Sequence, residues 1–146
     1  KYGRAQELAD TLSAFLIAAL RRSQPLPLKN AVVIAIPLHW RRERERGFNQ
    51  SQLLADAVGE AFHIPVVTPA LIRTKNTAPQ VEMEHDGERE KNIARAFSVA
   101  NRDAIKDKTI LLIDDICTSG STLEEAARVL RENGARTVWA ATVAHR

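Results

Sequence analysis

One fourteen-residue string constrains this chain more than any other: Ile110-Leu111-Leu112-Ile113-Asp114-Asp115-Ile116-Cys117-Thr118-Ser119-Gly120-Ser121-Thr122-Leu123. The apolar run from Thr109 to Ile113 reads as a strand buried on both faces, as in a parallel sheet. Two adjacent carboxylates end it, a loop of small hydroxyl-bearing residues follows, and a helix runs from Ser121 to Asn133, closed by Gly134. Open α/β sheets bind ligands at the carboxyl edge of their strands, where this string delivers its polar groups.

The two halves of the string suit different chemistry. Backbone N–H groups of a small-residue loop converge on an anion, and the start of a helix adds partial positive charge. Gly120 lets the backbone come close, and Thr118, Ser119, Ser121 and Thr122 offer hydroxyl donors to phosphate oxygens. Asp114 and Asp115 would repel a phosphate, so they need sugar hydroxyls, Mg²⁺ or both. A ribose 5-phosphate with free 2′ and 3′ hydroxyls satisfies both halves at once. Blander readings stand beside it. Ser121 with Glu124 fits a capping box, and strands ending in Asp-Asp also occur in metal-dependent NTPases and receiver-type phosphorylation domains. The Gly-Lys-Ser/Thr phosphate loop of NTPases is absent from the chain.

Around this string the pattern alternates helix and strand. Leu8, Leu12, Phe15, Leu16, Ala19 and Leu20 recur at helical spacing between Gln6 and Arg22, and Pro25 and Pro27 forbid continuation. Residues 31–36 form a continuous apolar run, read as a strand buried on both faces and stopped by Pro37. An arginine-rich loop comes next, with four arginines among residues 41–46; by itself it reads as a solvated, self-paired surface segment. A helix is expected from Asn49 to Phe62, with Asn49 and Gln52 as a capping box. Ile64 to Val67 is a candidate edge strand because of Pro65. Residues 71–92 lose any core-facing period, as functional lids do; Ala96 to Val99 reads as a strand returning beside Leu71 and Ile72. Thr137 to Val143 is the last strand. The order calls for an α/β fold, a mainly parallel sheet flanked by helices, in a single domain spanning 1–146 with a lid at about 73–95.

Composition narrows the setting. At 146 residues, 45% hydrophobic and 27% charged, the chain fits one soluble globular domain. No apolar run is long enough to span a membrane. A lone cysteine, Cys117, excludes an internal disulfide and a multi-cysteine zinc site, which makes the cytoplasm the expected compartment. The net charge of +3 is too small to argue for nucleic acid by itself. The chain opens on Lys1, almost directly into a helical pattern and with no cleavable leader, which reads as a fragment.

Asp114-Asp115 followed by Thr118-Ser119-Gly120-Ser121-Thr122 resembles the signature of type I phosphoribosyltransferases. Ile36-Pro37-Leu38-His39, Arg41, Arg44, Arg46-Gly47-Phe48-Asn49-Gln50 and Leu53-Leu54-Ala55 resemble the ComF/GntX branch of that superfamily, as do Arg73, Thr77, Gln80, Arg89, Asn92, Ala96 and Phe97 in the lid region. The resemblance implies a type I phosphoribosyltransferase fold binding 5-phosphoribosyl-1-pyrophosphate (PRPP) with Mg²⁺. It implies transfer of the phosphoribosyl group to a nitrogenous acceptor, with Asp114 and Asp115 catalytic. In that reading the two aspartates hold the ribose hydroxyls and, directly or through water, Mg²⁺. Thr118 to Thr122 bind the 5′-phosphate, while Pro37, Leu38, His39 and Arg41 approach the pyrophosphate. Apart from the resemblance, Lys75, Arg89 and Lys91 are candidates to reach the diphosphate when the lid closes, the alternative being solvated charges on the loop. The branch also implies alternatives: a catalytically silent PRPP-binding or regulatory module, or a competence protein working with the DNA-uptake machinery or single-stranded DNA. A homodimer is a further expectation. The branch's cysteine-rich zinc segment is expected upstream and is not among these residues.

Overall fold

The computed structural model describes residues 2–23, 26, 28–75 and 94–145, without the side chains of residues 2, 4 and 5. Its centre is a parallel sheet of three strands, β1 (Ala31–Ala35), β4 (Thr109–Cys117) and β5 (Thr137–His145), with β4 in the middle. Ala31 pairs with Thr109 and Ala35 with Ile113 on one side of β4, and Thr109 pairs with Thr137 through to Cys117 with His145 on the other. A single parallel bridge from Val66 to Val33 extends the sheet beyond β1. It rests on the bonds from Val33 N–H to the Pro65 carbonyl at 2.8 Å and from Val67 N–H to the Val33 carbonyl at 3.0 Å. The expected edge strand is thus reduced to one bridge. A short antiparallel pair, β2 (Leu71–Arg73) with β3 (Phe97–Val99), stands apart, as the sequence suggested.

Both faces of the sheet are covered, which is why β1 is apolar throughout and buried at every position. Alternate residues serve opposite cores. Val32, Ile34, Ile110 and Leu112 pack with Leu71, Phe97 and the inner face of α4 (Ser121–Glu132). Val33, Ala35, Leu111 and Ile113 pack with α1 (Tyr2–Arg22) and α3 (Gln50–Phe62). The architecture is the expected α/β fold, a parallel sheet between helical layers.

Several local expectations are corrected. The arginine-rich loop is a helix, α2 (Trp40–Arg46), held by its ends: the His39 side chain accepts from Arg41 N–H, and Gly47, at φ 81°, closes it with an N–H bond to the Glu43 carbonyl. Asn49 does cap α3 by accepting from Ser51 N–H, but Gln52 bonds Asp56 instead of completing a capping box. Ser121 makes no cap either, since Gly120 is the N-cap of α4 and no side chain bonds there. β4 runs on through Asp114 and Asp115 to Cys117, and β5 runs to His145, so the carboxylates sit inside a paired strand and not beyond its end. In α1 the inward face is Ala9, Ser13 and Leu16, while Leu8 and Phe15 are exposed. Of the expected lid, residues 76–93 lie outside the described residues. Its described stems are pinned, Thr74 N–H to the Ala96 carbonyl at 2.7 Å and Arg95 N–H to Glu125 at 2.8 Å.

Candidate functional site

The carboxyl ends of β1 and β4 converge on a pocket of about 240 Å³ between α2, α3, β2 and the loop after β4. Asp114 and Asp115 line it, with Thr118 and Thr122. Asp114 is fixed from two directions: Ser51, at the start of α3, donates its hydroxyl to Oδ1 at 2.8 Å, and the Asp115 N–H donates to the same oxygen at 2.9 Å. Asp115 in turn accepts from the Ile116 N–H at 2.8 Å. Burial raises the Asp114 pKa from 3.8 to about 7; the Ser51 hydrogen bond opposes that rise and the neighbouring Asp115 charge adds to it.

Three cations line the same pocket. Arg42 and Arg46 stand four residues apart on one face of α2, and Arg73 ends β2. Arg73 has its pKa lowered by burial and then by the nearby Arg42, with Asp114 acting in the opposite sense, which places all three within electrostatic reach. Its guanidinium also lies 5.6 Å from the centre of the Phe97 ring. Asn49 ties the pocket together: its Nδ2 donates to the Ile36 carbonyl at 3.0 Å, joining the start of α3 to the end of β1.

The loop after β4 divides its expected phosphate ligands. Thr118 and Thr122 border the main pocket, and with Gly120 they also border a small hollow at the start of α4. Gly120 has φ 82°, the left-handed conformation, and a Cβ there would meet nothing closer than 4.0 Å. Glycine is therefore needed for the backbone angle and not for space inside the protein. Ser119 and Ser121 line neither cavity and hydrogen-bond to each other at 2.7 Å.

The turn after β1 is redistributed. Leu38 lines the pocket, but Pro37 lines an adjoining cleft. His39 is 7% exposed and spends its ring on the cap of α2. Arg41 lies over the Trp40 ring at 5.2 Å and lines neither cavity, so the helical phase brings Arg42 and Arg46 to the pocket in its place. Lys75 donates to the Ala94 carbonyl at 2.6 Å, and Arg89 and Lys91 lie outside the described residues. Ser51 had no signal in the sequence as a partner of Asp114, because the two meet only through the fold. Arg42 and Arg46 would have followed from treating residues 40–46 as a helix.

Among the described residues no group of three or more His, Cys, Asp or Glu could hold a metal ion. Two adjacent carboxylates without a cage suit Mg²⁺, which keeps waters and takes few protein ligands beside a phosphorylated substrate. No described helix is long and apolar enough to cross a membrane.

The phosphoribosyl transferase domain family matches residues 44–146. DNA utilization protein YhgH of Shigella flexneri is 35% identical over 141 residues, covering 94% of this chain and 60% of that protein. Competence protein ComFC of Bacillus subtilis is 36% identical over 112 residues, covering 77% of this chain and 43% of that protein. The chain thus spans about 60% or less of the length of these two relatives. Among solved structures, the glutamine PRPP amidotransferase from B. subtilis aligns with a TM-score of 0.60 at 21% identity, over 94% of this chain and 26% of that one, a likeness of fold. The chain belongs to the phosphoribosyl transferase domain family, as a member of its ComF-type branch.

Proposed function

We propose that the pocket binds PRPP as its magnesium complex and that the chain transfers the phosphoribosyl group to a nitrogenous acceptor. One observation carries this reading: a carboxylate pair and three arginines line one pocket at the carboxyl edge of the sheet, next to a helix start. A ligand that is a polyol in one part and a polyanion in another matches that division of charge. Asp114 and Asp115 hold the ribose hydroxyls, Thr118, Thr122 and the backbone around Gly120 take the 5′-phosphate, and Arg42, Arg46 and Arg73 face the diphosphate. Mg²⁺ held at the carboxylates would supply charge neutralisation of the leaving diphosphate. The protein's own part is positioning and a fixed electrostatic field. The carboxylates lie where positive charge develops on the ribose ring, and the arginines lie where negative charge collects on the leaving group.

Calorimetric titration with PRPP and Mg²⁺ tests the reading. Saturable binding is expected, weakened at least about tenfold in a variant carrying Asp114→Asn and Asp115→Asn, a loss of about 1.4 kcal/mol or more. Absence of binding by the folded wild-type chain overturns the donor-site reading. Pyrophosphate release with an added acceptor then separates a transferase from a silent binding module. A second reading has its own support in the relatives' names, DNA utilization and competence, and in Arg41 and Arg44, exposed on α2 away from the pocket. In it these arginines meet a single-stranded DNA backbone.

A further inference from the structure

Hydrogen bonds close a circuit around the carboxyl ends of β1 and β4. Ile36 N–H donates to the Ile113 carbonyl at 2.8 Å, joining the two strands one residue before Asp114. The Ile36 carbonyl lies past the last residue of β1 and accepts from Asn49 Nδ2 at 3.0 Å. Asn49 Oδ1 accepts from Ser51 N–H at 3.1 Å, and the Ser51 hydroxyl donates to Asp114 Oδ1 at 2.8 Å. The path runs from β1 to the start of α3, across to Asp114, and back to β1 from β4. Ile36, Asn49, Ser51 and Asp114 all line the donor pocket.

Starting α3 requires less than this. An N-cap needs one side-chain oxygen for the first turn, and aspartate or serine supplies it as well as asparagine. Asparagine also brings N–H donors, and Asn49 sends one to the carbonyl thirteen residues back, at the end of β1. Ser51 lies inside the helix, where a serine hydroxyl tends to compete with the backbone. At 4% exposure that hydroxyl needs a partner. It finds one outside α3, in a carboxylate 63 residues on. Both polar groups that the helix does not need for itself reach the two strands that carry the pocket.

Two donors, the Ser51 hydroxyl and the Asp115 N–H, meet on the same oxygen of Asp114. Held so at Oδ1, the carboxylate has its plane fixed, and the direction of Oδ2 with it. The Asp115 bond fixes Asp114 only within its own strand, whereas the Ser51 bond ties it to α3 and, through Asn49, to the end of β1. We propose that Asn49 and Ser51 are the positioning residues of the donor pocket, holding Asp114 and the turn after β1 at one fixed separation. The proposal rests on the donor reading of that pocket. In PRPP the ribose hydroxyls and the diphosphate are joined through one ring, so groups from different elements must meet both at once. A separation set before binding removes the cost of reorienting them. Ser51 acts through Asp114, and Asn49 through Ser51 and Ile36, so neither has to touch the donor.

The test compares the full wild-type chain with Ser51→Ala, Asn49→Ser, the two combined, and Gly59→Ala. Each is checked for folding by circular dichroism and titrated with PRPP and Mg²⁺ by calorimetry. Asn49→Ser keeps a capping oxygen and removes the donor to the Ile36 carbonyl. Gly59→Ala crowds α3 against Val66 away from the pocket, so it reports what loosening of the helix does alone. Folded Ser51→Ala and Asn49→Ser should each bind PRPP about tenfold or more weakly, as loss of an outer partner of a ligating carboxylate does. Gly59→Ala should stay within about twofold of wild type. The combined variant should lose less than the product of the single losses, because both changes interrupt one circuit. Losses that simply multiply mean two separate contacts and overturn the circuit. Ser51→Ala binding like wild type, or Gly59→Ala binding as weakly as Ser51→Ala, overturns the proposal and leaves the donor reading in place. A folded wild-type chain that binds no PRPP overturns the donor reading, and the proposal with it. Should Ser51→Ala fail to fold, Asn49→Ser carries the same comparison with Gly59→Ala.

Discussion

A carboxylate as enclosed as Asp114 loses hydration that favours its charge, and its pKa near 7 records that cost. Between the unfolded value of 3.8 and about 7, the folded chain holds a proton that the unfolded chain has released. Stability from this group is therefore present at low pH and lost as pH climbs from about 4 to about 7. Asp114→Asn should raise stability in urea melts at pH 8, by on the order of a few kcal/mol, and the gain should vanish near pH 4. PRPP binding should show the opposite profile, strengthening as pH rises through about 7, because the ionised carboxylate is the form that holds hydroxyls and cation. Ser51 belongs to the same argument. It is 4% exposed, and its hydroxyl stabilises the charged form, so Ser51→Ala should cost roughly 1.5–3 kcal/mol above pH 7 and distinctly less at pH 5. Melts at the two pH values check it, and equal losses at both would remove Ser51 from any role through Asp114's charge. The pair Asp114-Asp115 was legible in the sequence because adjacency displays it. Ser51 was not, since 63 residues separate it from its partner.

Elements with a hydrophobic period announced themselves, and those defined by their ends did not. β1, α3, β4 and α4 followed from apolar spacing, with boundaries off by a few residues at most, except that β4 continued through its carboxylates where the pattern turned polar. The pairing of β4 with β5 carries it there, and pairing is invisible in a single strand's composition. α2 was missed because Trp40-Arg41-Arg42-Glu43-Arg44-Glu45-Arg46 buries no residue and so shows no apolar stripe; its two caps make it a helix. Packing between elements adds a constraint of its own at Gly59 of α3. A Cβ there would overlap Val66 Cγ2 and come within 2.9 Å of the Ile64 carbonyl oxygen, so α3 can lie against the edge segment only with glycine at this position. Gly59→Ala should therefore destabilise by roughly 1–3 kcal/mol, although alanine in a helix interior ordinarily gains about 0.5–1 kcal/mol over glycine. A denaturant midpoint that rose would mean the edge segment yields freely. Gly120→Ala is a different case: the space is open and the φ of 82° alone is strained, so a loss of about 1 kcal/mol with weakened PRPP binding is expected.

Across the whole molecule, the sequence showed a basic run without showing which way its charges point, and the fold divides them. The net charge of +3 is unremarkable, yet Arg42, Arg46 and Arg73 are gathered at one pocket while Arg41 and Arg44 remain exposed on α2 outside it. A helix turns about 100° per residue, so residues 42 and 46 share a face that 41 and 44 do not. That division makes the two readings of the run separable in one protein. If the pocket holds the donor, Arg42→Ala with Arg46→Ala should weaken PRPP binding at least about tenfold, whereas Arg41→Ala with Arg44→Ala should leave it nearly unchanged. If α2 also meets single-stranded DNA, the outer pair should matter in the converse assay. Loss of two phosphate contacts should lower the slope of log affinity against log salt by about 1.4, and the inner pair should change that slope less. Calorimetry with PRPP and fluorescence anisotropy with an oligonucleotide over a salt series measure both on the same four-arginine set. Should the outer pair prove decisive for PRPP, the pocket drawn by Arg42, Arg46 and Asp114 is the wrong site, and the division of charge by helical phase fails with it.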